Sequence, residues 1–267
     1  MSLPDKALFK KYCELNIAGT LFTYPPFSIE FEQSFSMSSP AVTKARLYNP
    51  APTVIRKAEG QKKGETKEFA AVEIKAGFES DYGNVLTGEI SDYRVYRQGV
   101  DTILELTIGD LTGILSNANI GKTYKNQNKA NIISDLIKES GAKGKVTIAN
   151  DNMMKVFTAG DFKSSFENLV KESGAQYYIK DGVIIVESEP VKKSVTFISP
   201  ESGLIGGIEK SSEGYKFKTL FLYKIRGGDV IQIKDNFFDK TYVQIVEAKK
   251  KFSSFGQSEC EFKAVEV

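Results

Sequence analysis

The chain has 267 residues, 41% of them hydrophobic, enough to bury a sizeable core, and its length suggests about two domains of roughly 100–200 residues each. Its 36 Lys and Arg against 34 Asp and Glu leave a net charge of +2, too balanced to be the electrostatic footprint of a nucleic-acid binder. The sequence contains no His, which removes the commonest general base near neutral pH and the commonest ligand of zinc, copper and iron. Cys13 and Cys260 stand near opposite ends without Cys-x-x-Cys spacing, so they are expected to be reduced thiols rather than a metal site or a disulfide framework.

Met1 to Lys6 carries no charged leader followed by an apolar stretch, and no run approaches the roughly 20 apolar residues of a membrane helix. A product made and kept in the cytoplasm, without a membrane anchor, is expected. From Phe9 to Ile29 short apolar bursts are broken by Gly19 and Pro25-Pro26, the texture of β-ribbon and turns. Phe27, Ile29 and Phe31 alternate with Ser28 and Glu30, and Val42 to Tyr48 continues as strand until Asn49-Pro50. Lys57 to Lys67 reads as an exposed loop. Val72 to Ile90 reads as two alternating strands joined by a polar turn, the second stopped by Gly88. Tyr93, Val95, Ile103, Leu104, Leu106 and Ile108 populate a hairpin around Arg97-Gln98-Gly99.

The texture changes at Asn128. Ile132, Ile133, Leu136 and Ile137 recur at helical spacing up to Gly141, a natural left-handed cap. A second helix runs from Asp161, with Phe162, Phe166, Leu169 and Val170 on one face, Gly174 after its last turn, and Thr158 as an expected capping-box residue. Ile137 and Val170 each begin the same ending, x-Lys-Glu-Ser-Gly-Ala, which reads as a shared helix terminator rather than a repeat. Tyr177 to Val186 is a hairpin whose Asp181-Gly182 suits a type I′ turn. From Val191 the chain is β again, with Val195, Phe197, Leu204, Ile205, Ile208 and Phe217 on short strands, glycines between them, and Tyr242 to Val246 and Cys260 to Val267 at the close. The expected fold class is α+β, mainly β: a first β-barrel domain at 1–115, a helix-containing α+β region at 116–190, and a second β-barrel domain at 191–267.

Residues that could carry chemistry do not converge. Gly227-Gly228-Asp229 lies between strands and reads as a turn, not a phosphate cradle. Glu201 with Glu209, or Asp235 with Asp239, are coincidences that any 34 acidic residues offer. Ser202, Ser211-Ser212 and Cys13 lack a His to activate them. The aromatics, 18 Phe and 12 Tyr, fall mostly at alternating positions and read as sheet core, with an exposed minority at subunit contacts. No catalytic, cofactor-binding or metal-binding residue is assigned. A cell-wall-degrading enzyme and a carbohydrate-binding β-domain adhesin are the alternatives to a purely structural role.

In order along the chain, Ala45-x-Leu47-Tyr48-Asn49-Pro50, the strand Val72 to Phe78, Val85-Leu86-Thr87-Gly88-Glu89-Ile90 and Gly109-Asp110 are followed by Lys122-Thr123-Tyr124 before a helix over Lys129 to Ser140. Phe162 to Val186, Ser202-Gly203-Leu204-Ile205-Gly206 and Leu220 to Ile233 with Gly228-Asp229 complete the series. With these blocks the chain resembles the baseplate hub proteins of contractile tails (late control protein D), found in phages such as P2 and Mu and in phage-tail-like bacteriocins. It departs from them at Leu222-Tyr223, at Gly227 and in lacking a His near its end. The resemblance implies two tube-protein-like barrels per chain and a homotrimeric, pseudo-sixfold ring joining the hexameric tail tube protein to the trimeric central spike protein. It also implies contact with other baseplate and tape-measure proteins, assembly in a bacterial host cytoplasm, and no cofactor, enzymatic activity or sequence-specific nucleic-acid binding.

Overall fold

The structure is a computed structural model that describes residues 10–37, 39–59, 61–63, 66–68, 70–109, 118–149, 151–180, 182–188 and 196–267. Met1 to Lys6, Phe9, Asp110, Asp181, Val191, Val195 and the expected domain boundaries at 115/116 and 190/191 lie outside the described residues. The fold is mainly β with α+β character. Its first part runs β1 (Lys11–Ile17), β2 (Thr20–Tyr24), β3 (Ile29–Ser36), β4 (Ser39–Tyr48), α1 (Pro52–Ala58), β5 (Gln61–Lys63), β6 (Thr66–Glu68), β7 (Ala71–Phe78), β8 (Asp81–Gln98) and β9 (Asp101–Gly109). The middle part is β10 (Asn119–Asn128), α2 (Lys129–Glu139), β11 (Lys143–Thr147), β12 (Met153–Asp161), α3 (Phe162–Glu172), β13 (Gln176–Lys180) and β14 (Val183–Glu187). The last part is β15 (Thr196–Ile198), a 3₁₀ turn at Pro200–Ser202, β16 (Leu204–Ser211), β17 (Gly214–Leu220), β18 (Val230–Ile233), β19 (Thr241–Ser253) and β20 (Glu259–Glu266).

One sheet carries both outer parts, in the order β16-β17-β20-β19-β3-β4-β9-β8-β7-β1-β2, with β18 on β19 and β15 on β18. Within it the order β3-β4-β9-β8-β7 is repeated by β16-β17-β20-β19-β18. The repeat extends to an irregularity. The register of β8 on β9 shifts between Ile90 and Asp92, and that of β19 on β20 between Ile245 and Glu247, so Ser91 and Val246 are equivalent bulges that bend the strand from one neighbour to the next. The halves are joined by β19 against β3, antiparallel from Glu247 opposite Ser36 to Ser253 opposite Glu30. Strand alternation turns the apolar side chains of both halves into one continuous core. At its centre Phe31 stacks on Phe252 at 5.5 Å, and Phe221 meets each ring edge-on at 5.7 Å; such rings contribute roughly 1.5–3 kcal/mol each on burial.

The middle part has its own core around Ile132, Leu136, Phe162, Phe166, Leu169 and Ile184. It is built twice over. β10 runs straight into α2 and on to β11; β12 runs straight into α3 and on to β13; β10 pairs with β12, and β11 and β13 flank β14. Both helices end alike: the Ser140 and Ser173 hydroxyls donate to the carbonyls of Ile137 and Val170 at 2.7 Å. Gly141 and Gly174 then take φ of +81° and +66°, a turn that glycine enters without steric cost. The shared ending is thus part of a strand-helix-strand unit that recurs, more than a shared terminator.

Three sequence expectations are corrected. Gly88 does not stop a strand: β8 continues for 18 residues, and a Cβ at Gly88 would lie 2.6 Å from the Gly109 carbonyl oxygen, so glycine is needed where β8 passes from β7 to β9. The segment from Lys57 is not all loop, because Lys57 belongs to α1, opened by Pro52 and seated on buried Val54 and Ala58, and β5 pairs with β6 beyond it. Thr158 is not a capping residue. It lies within β12 with its hydroxyl 3.2 Å from that of Thr123, and α3 is capped by Asp161, whose carboxylate accepts from the Ser164 amide at 2.8 Å.

Candidate functional site

Several of the groups weighed for chemistry make structural hydrogen bonds or are buried. Asp235 accepts from the amides of Ile208, Phe237 and Phe238 at 2.8–3.0 Å; burial works to raise its carboxyl, but these three donors hold it below the ordinary value. Glu201 accepts from the Ser199 hydroxyl at 2.7 Å, which lowers it. Ser202 ties the 3₁₀ turn to the Phe197 carbonyl at 2.9 Å. Cys13 and Cys260 are free and wholly buried, and burial pushes both thiols up, Cys260 to about 11. Among the described residues no group of three His, Cys, Asp or Glu is arranged to hold a metal ion, and no helix is long and apolar enough to cross a membrane.

The feature built on a larger scale is the outward face of the long sheet. Because Phe217, Phe262, Ala248, Phe35 and Ala45 turn inward, the alternate positions carry a lattice of opposite charges that crosses both halves. Lys218 pairs with Glu261 at 2.5 Å, Lys263 with Glu247 at 2.6 Å, Lys249 with Glu32 at 2.8 Å and Arg46 with Glu105 at 2.7 Å. In each the carboxylate's hydrogen bond raises the pKa of the basic partner. Exposed pairs of this kind contribute little to stability; what they fix is a face that is densely charged yet balanced. A groove of about 820 Å³ runs across it where the halves meet, lined in part by Ser34, Val42, Lys249 and Glu261. A second hollow of about 420 Å³ lies beside it over Glu30, Arg46 and Lys251. Glu30 there accepts from the Tyr48 hydroxyl at 2.9 Å and the Ser253 hydroxyl at 2.5 Å.

Among the described residues several strands of this sheet have a single neighbour: β2 has β1, β15 has β18, β16 has β17, and β8 beyond Ser91 has β9. The edge residues Arg94, Val95, Ile205 and Glu209 are exposed. Sequence reasoning named Val95 and Ile205 as strand residues, weighed Glu209 only as a chance partner of Glu201, and missed Arg94; the structure places Glu209 in β16 opposite Lys216. A signal was present in the charges placed at every second residue, as in Glu30-x-Glu32, Lys44-x-Arg46 and Lys249-x-Lys251.

The middle part docks on the sheet through the turn after β17. Gly228, at φ +81°, lies under the Tyr178 ring, where an added Cβ would come within 2.5 Å of it. Lys180 reaches Asp229 at 2.8 Å, Asp229 also accepts from the Arg226 amide at 2.8 Å, and the Arg226 guanidinium donates to the carbonyls of Tyr223 and, at 2.6 Å, Asn84. Gly227-Gly228-Asp229 is therefore a turn, as its place between strands implies, and also the point where first, middle and last parts meet.

No known family profile matches the sequence, and no curated protein does. Solved structures do. A tail protein from Neisseria meningitidis MC58 superposes with a TM-score of 0.70 at 10% identity, covering 97% of each chain. The chain has the fold of phage tail proteins. The 43 kDa tail protein of prophage MuSo2 from Shewanella oneidensis gives 0.69 at 12% identity, over 96% of this chain and 98% of that one. The E. coli c3393 protein, a type VI secretion component described as structurally similar to the T4 bacteriophage tail proteins gp27 and gp5, gives 0.67 at 13% identity, over 95% of this chain and 76% of that one.

Proposed function

We propose that this chain is a structural baseplate hub of a contractile tail or tail-like particle, without enzymatic activity. It forms a homotrimeric, pseudo-sixfold ring between the hexameric tail tube protein and the trimeric central spike protein, in contact with other baseplate and tape-measure proteins. It is assembled in the cytoplasm of a bacterial host. The observation that carries the reading is the repeated strand order: β3-β4-β9-β8-β7 and β16-β17-β20-β19-β18 make one chain into two like units. Three such chains present six like units, which reconciles a sixfold partner with a threefold one. The two outer parts are then two barrel-like domains and the middle part a spacer hung on the Gly228 turn. The balanced, grooved face turns toward the central channel, where alternating charges keep the wall wetted without a strong net field for cargo of either sign.

The likeness to tail proteins over nearly the whole chain supports this reading. Electron microscopy of the purified protein mixed with its spike tests it. Threefold rings with six similar lobes are expected; a chain that stays monomeric with spike and tube protein present refutes it.

A further inference from the structure

In the middle part the chain brings four amide side chains to one cleft. A hollow of about 500 Å³ lies where β10 meets α2, lined by Asn126, Gln127 and Asn128 of β10 and Asn131 of α2, with Lys122, Tyr124 and Asp135 completing it. Consecutive residues of a strand face opposite ways, so a regular β10 would offer the hollow only every second side chain. Asn126 breaks the alternation. Its φ is +50°, a left-handed conformation that Asn enters more readily than most residues with a Cβ, and Asn126, Gln127 and Asn128 all line the one hollow. Asn128 is held by Asp151 at 3.1 Å. Asn126, Gln127 and Asn131 are exposed, and among the described residues their side chains make no hydrogen bond.

The charges of the hollow are already engaged. Lys122 pairs with Asp135 at 2.5 Å and with Glu139 at 3.0 Å. Asp135 Oδ2 also accepts from the Tyr124 hydroxyl at 2.9 Å, while its Oδ1 receives no donor among the described residues. The first amides of α2 are taken too, that of Lys129 by the Asn152 carbonyl at 3.2 Å and that of Ala130 by Asp151 at 2.9 Å. The lining thus offers an anion neither an unpaired cation nor a free helix end, and with Tyr124 buried it offers an apolar ligand no ring to lie on. We propose that this hollow binds a neutral saccharide. A sugar hydroxyl both donates and accepts, and an Asn or Gln side chain sets a carbonyl acceptor beside an NH₂ donor, so adjacent hydroxyls of one sugar ring can engage both ends of one amide. Asp135 Oδ1 supplies a further acceptor. Hydrogen bonds alone, each a modest net contribution, set a dissociation constant in roughly the millimolar range. Hexose chains and N-acetylhexosamine chains share this chemistry. The inference concerns the middle part by itself and stands whether or not the chain forms a ring.

The test titrates the full, nitrogen-15-labelled chain with maltotetraose and, separately, with the tetramer of N-acetylglucosamine, following the side-chain amide signals by nuclear magnetic resonance. One sugar or both should shift the NH₂ signals of Asn126, Gln127 and Asn131, and which of them does so identifies the class of glycan. Gln127→Ala and Asn131→Ala should each weaken binding by about fivefold. Asn126→Gly, which suits the left-handed backbone while removing the amide, should do the same. Lys125→Ala, on the same strand but outside the lining, should leave binding unchanged. Because the three amide side chains make no bond within the described chain, their variants should melt as the parent does, which separates lost binding from lost fold. Three results would overturn the proposal: neither sugar shifts these signals at several times millimolar concentration, inorganic phosphate shifts them in place of the sugars, or Gln127→Ala and Asn131→Ala bind as tightly as the parent.

Discussion

Replacing Gly228 with Ala should loosen the middle part's seat on the sheet. Two costs add. The backbone there has φ +81°, where a Cβ costs about 1 kcal/mol relative to glycine. The methyl would also sit 2.5–2.8 Å from the Cγ and both Cδ atoms of Tyr178, the root of the ring rather than its free end. Tyr178 cannot swing aside freely, because its hydroxyl donates to Glu187 at 2.9 Å and the residue is buried. Overpacking of this kind costs about 1–3 kcal/mol, for a total of about 2–4 kcal/mol. At about 2–4 °C per kcal/mol for a large domain, the midpoint should fall by roughly 5–15 °C in a thermal melt followed by circular dichroism. Gly174→Ala is the control: its φ is +66° and nothing lies within 4 Å of an added Cβ, so it should show the backbone cost alone. In a double-mutant cycle, Tyr178→Ala should remove the excess penalty of Gly228→Ala, leaving a coupling of about 1–3 kcal/mol. Equal losses for Gly228→Ala and Gly174→Ala, or full additivity with Tyr178→Ala, would refute the close approach.

Further outcomes are expected. Asp151 accepts from the Ala130 amide at 2.9 Å while the local N-cap, Asn128, makes no capping bond with its side chain, so Asp151→Ala should cost about 1 kcal/mol and speed hydrogen exchange at Ala130 more than Asn128→Ala does. Phe252→Ala, at the centre of the three-ring cluster, should cost about 3–5 kcal/mol in urea unfolding. Both thiols should resist alkylation at pH 8 until denaturant exposes them, since burial raises each. The Lys122 ammonium, helped by the Tyr124 hydroxyl, holds the Asp135 carboxyl below its ordinary 3.8. A depressed folded-state value gives stability that is present above the unfolded value and lost as pH falls through the folded one. Acid melts should therefore show a loss below about pH 4 that is smaller in Asp135→Asn than in the parent.

What the sequence made legible was what local physics decides. Strand alternation gave β3, β4, β7 and β9, helical spacing gave Ile132 to Ile137 and Phe162 to Val170, and the Gly141, Gly174 and Gly182 turns followed from positive φ. What it concealed was decided at a distance. Gly88 reads as a strand end, and only the approach of Gly109 makes it an interior residue. Asp151, twenty-one residues from Ala130, caps α2 in place of its neighbour Asn128. Helix α1 was hidden because Pro50 and Pro52 look like loop while its only buried anchors are Val54 and Ala58. The charged lattice was visible as alternating Lys and Glu, but without strand order there was no way to see that Lys249 of β19 meets Glu32 of β3, 217 positions away.

The junction of β19 with β3 differs in its chemistry from the exposed lengths of β8 and β16, their equivalents in the repeated strand order. Inside the chain the junction is permanent, and it tolerates chemistry that an exposed edge could not: Lys250 is wholly buried, its ammonium donating to the Tyr223 carbonyl at 3.0 Å and lying 5.5 Å from the centre of the Phe35 ring. The strands β8 and β16 carry Arg94, Arg97, Glu209 and Lys210 outward, and β16 is broken by a register shift between Ile205 and Glu209 that contains Gly206 and Gly207. Charges and bulges are the devices by which an edge strand resists indiscriminate pairing. One topology thus occurs twice with opposite surface chemistry, closed by burial at the internal junction and bordered by charge along β8 and β16. Stripping that charge, with Arg94→Val and Arg97→Val together, should leave the fold intact yet make the single chain aggregate, which light scattering at rising concentration would register; a double variant as soluble as the parent would show that β8 is not a pairing edge at all.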